Sequence, residues 1–400
     1  MIINKFREWV NLGLYDSKVA VLKTFDILKL LGVLVAGGII LYTLGYPLND
    51  DDRLFYIGFI YYLLFFYALN YFIRFLYTFE PRKFLKHTAI ELGLIIVVVA
   101  QGISALFLES SLIEHICHDL FDFERPIKAM MITLEIILVM ILFLDFSKLS
   151  SLISILKIDT VWIFILSFLI IIGIGTILLM LPEMSHTPNG ASFMKALFTS
   201  TSASCVTGLI VCDTATFWTF KGQIVIIVLV QLGGVSILTF ATFFATFFAK
   251  GMGAKEQSML QDFFSTDSKS DAREILRSIV FLSILIEAVG AFFIYHSFGS
   301  QIQFQSTSHK IYQSIFHSIS AFNNSGFSII TDGLYNPALR QQHILHFTMV
   351  ALVFLGAVGF PALQEFFYPS KIRDRLRFGW KKMNVAARIS IYTAVGITLV

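Results

Sequence analysis

The clearest candidate for chemistry is a polar stretch within an otherwise apolar part of the chain, "KALFTSTSASCVTGLIVCDT" at residues 195–214. It is too polar to face lipid and too short to cross a bilayer, which needs about 20 apolar residues in a helix. Its hydroxyl, thiol and backbone carbonyl groups, ending at Gly208, could be offered to a ligand. A second stretch, "IFHSISAFNNSGF" at residues 315–327, has the same pattern.

These two stretches predict an internal duplication. The matched positions are Phe198 with Phe316, Ser200 with Ser318, Ser202 with Ser320, Ala203 with Ala321, and Gly208 with Gly326. The glycines are 118 residues apart (326 − 208), whereas "LGGVS" from Leu232 and "LGAVG" from Leu355 are 123 apart (355 − 232). About five extra residues therefore belong to the second outer loop. Each copy is predicted to be an outward helix, a short re-entrant helix, a glycine-bearing strand and an inward helix.

The composition is that of an integral membrane protein. Of 400 residues, 56% are hydrophobic, 15% aromatic and 14% charged, with a net charge of +3. Nothing in this balance favours nucleic-acid binding. Cys117, Cys205 and Cys212 give neither a paired disulfide framework nor a metal-binding spacing. The N-terminal charges lie too far from the first apolar run for a cleavable signal, so we expect the first helix to be retained as an anchor.

Membrane spans follow from the lengths of the apolar runs. The candidates are residues 27–46, 54–75, 90–108, 127–144, 160–181, 223–249, 276–298 and 343–367, with a ninth beginning near 385. The basic loops "RFLYTFEPRKFLKH", "KGMGAKEQ" and "KIRDRLRFGWKK" alternate with poorly basic ones, which places them in the cytoplasm together with the amino terminus. This alternation holds only if residues 195–214 enter the membrane and return to the outer side.

A re-entrant turn suits a cation for three physical reasons. Non-helical backbone at membrane depth must be buried in protein or line a wet cavity. A half-helix over residues 192–204 directs the partial negative charge of its carboxyl end at the membrane interior. The "CVTG" and "NNSG" segments, taken as extended, could replace a cation's hydration shell with carbonyl oxygens. Gly208 and Gly326 allow the positive φ or close approach that such turns need.

The duplicated motif, with "GQIVIIVLVQLGGVSILTFAT" between its copies, resembles the Trk/Ktr/HKT superfamily of potassium transporters, specifically the membrane subunit of bacterial Trk and Ktr systems. The resemblance covers roughly residues 160–400. It implies an all-α membrane protein of helix–pore-loop–helix repeats like those of potassium channels, four per polypeptide around one pore. We expect two complete repeats and the start of a third at "RISIYTAVGITLV", with about four extra transmembrane helices before them.

This resemblance implies four parts. They are residues 1–157, the extra helices; 158–250, pore repeat 1; 270–370, pore repeat 2; and 383–400, the start of an incomplete repeat 3. The expected activity is potassium uptake across the cytoplasmic (inner) membrane by a multi-pass protein that is not an enzyme. No cofactor is expected, although coupling to sodium or protons stays open. The gating loop and the cavity's basic residue, which the family places in its third and fourth repeats, are expected beyond this sequence.

The resemblance also implies a selectivity filter whose backbone carbonyls hold potassium. Carried over by position, the filter residues are Cys205, Val206, Thr207 and Gly208 in the first repeat, and Asn323, Asn324, Ser325 and Gly326 in the second. Family members with glycine at the first key position tend to select potassium, while some plant relatives with serine there pass sodium. Gly208 therefore favours potassium.

Partners are implied as well: membrane lipid, a second copy of the chain, and a cytosolic nucleotide-binding regulatory subunit of the kind that Trk and Ktr systems use. The basic loop "KIRDRLRFGWKK" faces the correct compartment for that subunit. Topology control and contact with anionic lipid explain the same basic residues.

Several residues have a structural interpretation beside the functional one. "CVTG" and "NNSG" taken singly could be packing turns, and their duplication favours the ion site. Close helix packing is favoured over binding for Gly233, Gly234, Gly356 and Gly359. Glu287 lies mid-span and should find a hydrogen-bond donor, with ion translocation as the alternative.

Three further features are interpreted as structural. The ligand-type side chains of "EHICHD", residues 114–119, fit no tetrahedral metal site, so a solvated outer loop is favoured. His317 is favoured as a packed or capping histidine over a proton relay. Lys195 opposes the dipole of its half-helix and should extend outward.

Two other functions compete with a potassium pore. A secondary transporter of another small solute or cation, such as sodium, also uses broken helices, but it predicts inverted repeats, whereas these copies share one orientation. A membrane-bound sensor or scaffold would explain the extra helices and leave the duplicated turns unexplained.

Overall fold

The computed structural model describes residues 18–78, 80–107, 131–141, 160–234, 271–299 and 306–358, with short pieces at 304, 363, 366–367, 369–378, 388 and 391–396. Within these residues the chain is helical, and extended pairing is limited to one isolated bridge between Ser185 and Trp218. The all-α prediction is confirmed for this part of the chain. It forms two compact units, residues 1–149 and 150–400. The finer domain boundaries stay a prediction.

The first unit is a bundle of apolar helices. Its helices are α1 (Lys18–Gly45), α2 (Asp50–Leu76), α3 (Pro81–His87), α4 (Ala89–Phe107) and α5 (Met131–Ile141). Three aspartates occupy the first turn of α2, where they complement the partial positive charge of the helix terminus. The buried core draws on four of these helices through residues such as Ala36, Leu64, Val98 and Leu134. Phe55, Tyr62 and Phe65 project outward, as expected of helices that face lipid.

The second unit contains two similar segments. Segment A, residues 160–234, contains α6 (Thr160–Leu179), α7 (Phe193–Ser204), α8 (Thr214–Phe217) and α9 (Phe220–Gly234). Segment B, residues 271–358, contains α10 (Asp271–Ser297), α11 (Thr307–Phe322) and α12 (His343–Val358). Short 3-10 turns, Pro182–Met184 and Gly333–Tyr335, lie in the outer loops, and α13 (Pro369–Arg377) follows segment B.

Three helices are long and apolar enough to cross a membrane among the described residues: Ala20–Gly45, Asp50–Leu76 and Val280–Ser297. They coincide with the predicted spans 27–46, 54–75 and 276–298. The other apolar helices are shorter as described: Ala89–Ala100, Met131–Ile141, Ile165–Leu179, Phe220–Gly234 and His343–Val358. The predicted spans at 90–108, 127–144, 223–249 and 343–367 extend beyond the described residues.

Segments A and B share one hydrophobic core. Leu179, Ala203 and Ile226 of segment A are buried in the same cluster as Phe316 and Phe327 of segment B. A second cluster lies within segment B and includes Ile294, Phe322 and Leu352. The turns that follow α7 and α11 are therefore held against each other by packed apolar side chains.

Glycines let the helices of each segment approach at equivalent places. A Cβ on Gly175 would touch the Ser200 hydroxyl and lie 2.7 Å from Leu229 Cδ1. A Cβ on Gly290 would lie 2.6 Å from the Ser318 hydroxyl and 2.7 Å from Leu352 Cδ2. Ser200 and Ser318 are 118 residues apart (318 − 200), and Leu229 and Leu352 are 123 residues apart (352 − 229). These are the two offsets of the duplication predicted from the sequence.

The glycines at the inner ends of α9 and α12 are packed still more tightly. Gly233 lies against the Ser204 carbonyl oxygen, and Gly356 lies against the Phe322 carbonyl oxygen. Gly234 leaves room for the Asn323 side chain. Close packing is thus confirmed for Gly233, Gly234 and Gly356, because small residues allow such helix contacts. Gly359 lies outside the described residues.

We expect Gly233→Ala and Gly356→Ala each to destabilise the fold by about 1–3 kcal/mol, because an added methyl group must displace backbone at a tightly packed site. The measurement is thermal unfolding of the purified protein in detergent. Gly173→Ala in α6 is the matched control, since a Cβ there meets nothing within 4 Å. Equal melting temperatures for the three variants would contradict the packing argument.

Candidate functional site

Two half-helices lead into the candidate site. Helix α7 begins after Ser192 and ends at Ser204, and α11 begins after Ser306, whose hydroxyl accepts a hydrogen bond from the His309 N–H at 3.1 Å. Each half-helix is followed by a four-residue turn: turn A, residues 205–208, and turn B, residues 323–326. The carboxyl ends of both half-helices carry partial negative charge, so both turns lie in a field that favours a cation.

The sign of φ alternates along both turns. In turn A, φ is −89° at Cys205, +55° at Val206 and +73° at Gly208. In turn B it is −79° at Asn323, +58° at Asn324 and +74° at Gly326. The remaining residues, Thr207 and Ser325, do not have positive φ. The predicted glycine-bearing strand is therefore wrong: each turn alternates between right- and left-handed backbone, because its N–H groups return to the half-helix before it.

Every N–H in the first three positions of each turn bonds back to that half-helix. In turn A, the bonds run from Cys205 to the Thr201 oxygen at 2.8 Å, from Val206 to Ala203 at 3.2 Å, and from Thr207 to Ser202 at 2.9 Å. In turn B they run from Asn323 to Ile319 at 3.0 Å, from Asn324 to Ala321 at 3.0 Å, and from Ser325 to Ser320 at 2.9 Å. Alternating handedness aligns successive N–H groups on one side of a turn. The carbonyl groups therefore lie on the opposite side of the turn from the N–H groups.

The carbonyl oxygens of the turns accept no hydrogen bond from the described residues. Across the part of the chain that the structure describes, no hydrogen bond ends on the carbonyl oxygen of any residue in 205–208 or 323–326. Buried backbone groups are almost always paired with protein or with an ordered ligand such as water. Asn323 and Ser325 are buried, whereas Cys205, Thr207, Asn324 and Gly326 are exposed. The oxygens of the two adjoining turns are therefore available to water or to a cation.

The two turns meet at their glycines. A Cβ on Gly208 would touch the Ser325 carbonyl oxygen and lie 3.3 Å from Gly326 Cα, and a Cβ on Gly326 would lie 3.5 Å from Gly208 Cα. The positive φ of both glycines is a conformation that L side chains rarely adopt. The structure thus brings the two predicted filter segments into contact at Gly208, Ser325 and Gly326.

The polar side chains around the turns serve mainly as supports. The Ser200 hydroxyl donates to the Ile172 carbonyl oxygen at 2.9 Å, and the Ser318 hydroxyl donates to the Glu287 carbonyl oxygen at 2.6 Å. Within turn A, Thr207 Oγ1 donates to Ser202 Oγ at 3.0 Å. The corresponding hydroxyls of turn B, those of Ser320 and Ser325, are 2.8 Å apart. These hydroxyl groups fasten each half-helix to its first long helix and each turn to its half-helix.

Val206 is the strained residue of the site. A β-branched side chain at φ +55° is an outlier, and such strain costs of order 1–3 kcal/mol unless the surroundings impose it. Here the N–H bonds on either side of Val206 impose the conformation. Backbone strain that is maintained in this way is common at ligand sites.

Residues that the sequence marked as structural are confirmed in that role. Asn323 Nδ2 donates to Glu287 Oε1 at 3.2 Å, so the buried Glu287 has the predicted donor. His317 is buried, with Nδ1 donating to the Gln313 carbonyl oxygen at 2.7 Å and Nε2 at 3.0 Å from the Ser328 hydroxyl. Lys195 is exposed, and its ammonium group lies 4.7 Å from the centre of the Phe217 ring.

The described residues do not form a metal site built from side chains. Among the described residues no group of three or more histidine, cysteine, aspartate or glutamate side chains could hold a metal ion. The "EHICHD" segment lies outside those residues.

Sequence reasoning missed the residues that join segment A to segment B. Tyr312 donates its hydroxyl proton to Gln223 Oε1 at 3.1 Å, and Gln223 Nε2 donates to the Trp218 carbonyl oxygen at 3.1 Å. Near the inner side, Asn323 Nδ2 donates to Gln231 Oε1 at 3.0 Å. A glutamine in an apolar helix was the available signal, since polar residues within membrane helices need a partner.

Asn324 was nominated for its backbone, yet its side chain also contacts α12. In the orientation that satisfies both amide atoms, the Asn324 amide donates to the Val353 carbonyl oxygen at 3.2 Å and accepts from the Ala357 N–H at 3.3 Å. These backbone groups are one helical turn apart and would otherwise bond to each other. Turn B is thus connected directly to the last described turn of α12.

Known proteins match the part of the chain that carries the site. The sequence model of the TrkH family, described as "Cation transport protein", matches residues 128–386, well over half of the chain. The Ktr system potassium uptake protein B of Vibrio alginolyticus is 31% identical over 203 residues, which is 51% of this chain and 43% of that protein. Its namesake in Bacillus subtilis is 34% identical over 198 residues, 50% of this chain and 43% of that protein.

A third relative is the potassium/sodium uptake protein NtpJ of Enterococcus hirae. It is 31% identical over 195 residues, 48% of this chain and 42% of that protein. The chain thus spans less than half of the length of each of these relatives.

Gly208→Ala is expected to lower the melting temperature of the purified protein more than Gly326→Ala does. Both substitutions place a Cβ at a positive φ, which costs roughly 1–2 kcal/mol per residue. Only the Cβ at position 208 would also clash with the opposing turn, at the Ser325 carbonyl oxygen, whereas a Cβ at position 326 would make an ordinary contact with Gly208. The difference between the variants measures the contact between the turns, and a larger loss at Gly326 would contradict it.

Proposed function

Because the chain belongs to the TrkH family of cation transport proteins, we propose that it carries potassium ions across the cytoplasmic membrane through a pore lined by turns A and B. The observation that supports this most is the set of carbonyl oxygens at residues 205–208 and 323–326 that no described donor reaches. A dehydrated cation takes the place of the missing donors. The selectivity filter is thus assigned to Cys205, Val206, Thr207, Gly208, Asn323, Asn324, Ser325 and Gly326.

The chemistry of the turns suits a monovalent cation. Neither turn contains a charged side chain, so coordination rests on neutral peptide dipoles and on the partial negative ends of α7 and α11. Rings of backbone carbonyls replace the hydration shell of potassium in this manner in potassium channels. No covalent step and no bound cofactor enter the proposal, in which potassium is the cargo.

Potassium is preferred over sodium on two grounds. Two of the relatives are named potassium uptake proteins, and the third is named a potassium/sodium uptake protein. Gly208 is the residue type that accompanies potassium selectivity in the family that this sequence resembles. Sodium is the alternative ion at the same carbonyl site.

Turns A and B form half of the proposed filter. Segments A and B share one hydrophobic core. Together with the common orientation that the sequence predicts for the two copies, this supports adjacent positions around an axis. In this proposal, residues 158–250 and 270–370 are pore repeats 1 and 2, residues 383–400 begin repeat 3, and two more turns complete the ring. We place the protein in the inner membrane as a multi-pass protein whose first 157 residues are additional to the pore repeats.

We further propose a cytosolic nucleotide-binding regulatory subunit and a second copy of the chain as partners. Helix α13 carries Arg373, Arg375 and Arg377 on the side predicted to be cytoplasmic, and Leu376 is 84% exposed. These residues offer a basic and apolar surface to such a subunit. Contact with anionic lipid headgroups is the alternative use of the same arginines.

Gly208→Asp is expected to abolish rubidium uptake by the full-length protein in a potassium-deficient bacterial strain. A carboxylate at this position would clash with turn B. It would also add a negative charge beside the carbonyl oxygens of the turns. Gly208→Ser is expected to keep some uptake but to lower the preference for potassium over sodium. Gly173→Ser, on an open face of α6, is the control. Unchanged uptake by Gly208→Asp at a normal membrane level would refute the filter.

A further inference from the structure

A buried polar bridge lies beside turn B and joins the two segments. It consists of Gln231 on α9, Asn323 at the start of turn B and Glu287 on α10. Asn323 Nδ2 lies 3.0 Å from Gln231 Oε1 and 3.2 Å from Glu287 Oε1. Asn323 and Glu287 are each 7% exposed. The Asn323 amide therefore links Gln231 to Glu287 within the packed interior.

The surroundings hold the Asn323 amide in one place. A Cβ on Gly234 would overlap the Asn323 side chain, so glycine at this position provides the space for the amide. The same Nδ2 atom also lies 2.9 Å from the Ile319 carbonyl oxygen, one turn back along α11. An amide that is enclosed in this way and bonded to acceptors on α9, α10 and α11 fixes where turn B begins.

The bridge belongs to turn B alone among the described residues. Ile172 occupies the place of Glu287, because their carbonyl oxygens accept the equivalent bonds from Ser200 and Ser318. Cys205 occupies the place of Asn323 and is exposed. Segment A thus has an apolar side chain and a thiol where segment B has a carboxylate and an amide. Because segment A forms the same half-helix and turn without this bridge, the bridge is not a general requirement for folding such a segment.

The position of Asn323 controls the contact between the turns. The Ser325 carbonyl oxygen, two residues farther along, lies directly against Gly208. A shift of Asn323 therefore moves the oxygen at which turn B meets turn A. Discrimination between potassium and the smaller sodium ion depends on the number and spacing of the carbonyl dipoles around the ion.

We propose that Glu287 is a positioning residue for ion discrimination: acting through Asn323, it fixes turn B against turn A and so keeps the carbonyl spacing that favours potassium over sodium. This inference rests on the proposed function. In this role Glu287 acts as a hydrogen-bond acceptor for Asn323, so an amide oxygen at the same place can replace its carboxylate oxygen.

The test measures how well potassium and sodium compete with rubidium uptake by the full-length protein in cells. Glu287→Ala is expected to lower the potassium preference by about tenfold, the effect of one lost buried hydrogen-bond partner. Glu287→Gln keeps an acceptor oxygen and is expected to retain the wild-type preference. Ile172→Ala, which truncates the equivalent side chain of segment A, is expected to retain it as well.

Three results would overturn the inference. An unchanged preference in Glu287→Ala would show that the bridge does not act on the ion site. An equal loss in Glu287→Gln would assign the effect to negative charge. If Glu287→Ala fails to reach the membrane, Asn323→Ala removes the same bond from the other side, and a wild-type preference there would refute the proposal. Absence of rubidium uptake by the wild-type protein would instead refute the proposed function, and this inference with it.

Discussion

A peptide group inside a bilayer must find its hydrogen-bond partners within the protein, and this requirement determines the form of the candidate site. At the carboxyl end of each half-helix, the last carbonyl groups need donors. The N–H groups of residues 205–207 and 323–325 supply them by folding back. That return forces φ to alternate in sign, and it leaves the carbonyl oxygens of the same residues without a donor in the part of the chain that the structure describes. The unmet hydrogen-bonding capacity of the site is thus a consequence of how the half-helices end.

The same constraint explains the composition of the surrounding helices. Serine and threonine in α7 and α11 are small enough to be buried and can donate to backbone oxygens of the neighbouring helix, as Ser200 and Ser318 do. Glycines at 175, 233, 290 and 356 bring those oxygens and the helix surfaces into reach. The polar side chains of the stretch therefore serve largely as a scaffold, and in the proposed function its peptide backbone binds the ion.

Some of this arrangement could be predicted from the sequence. The half-helices, the positive φ of Gly208 and Gly326 and the close packing of Gly233 follow from residue type, spacing and duplication. The backbone of turns A and B could not be foreseen, because Val206 is β-branched and such residues rarely adopt positive φ. The bridge from Gln231 through Asn323 to Glu287 could not be foreseen either. Asn323 is 92 residues from Gln231 and 36 residues from Glu287 in the sequence, so no local pattern identifies these partners.

Crystals of the full-length protein grown in rubidium provide the most direct test of the central claim, that carbonyl oxygens of turns A and B bind a dehydrated cation. Anomalous diffraction is predicted to place a rubidium ion on the axis between the turns, within direct coordination distance of oxygens from both residues 205–208 and 323–326. Turns sealed by neighbouring side chains, with no ion and no passage beside them, would contradict the account.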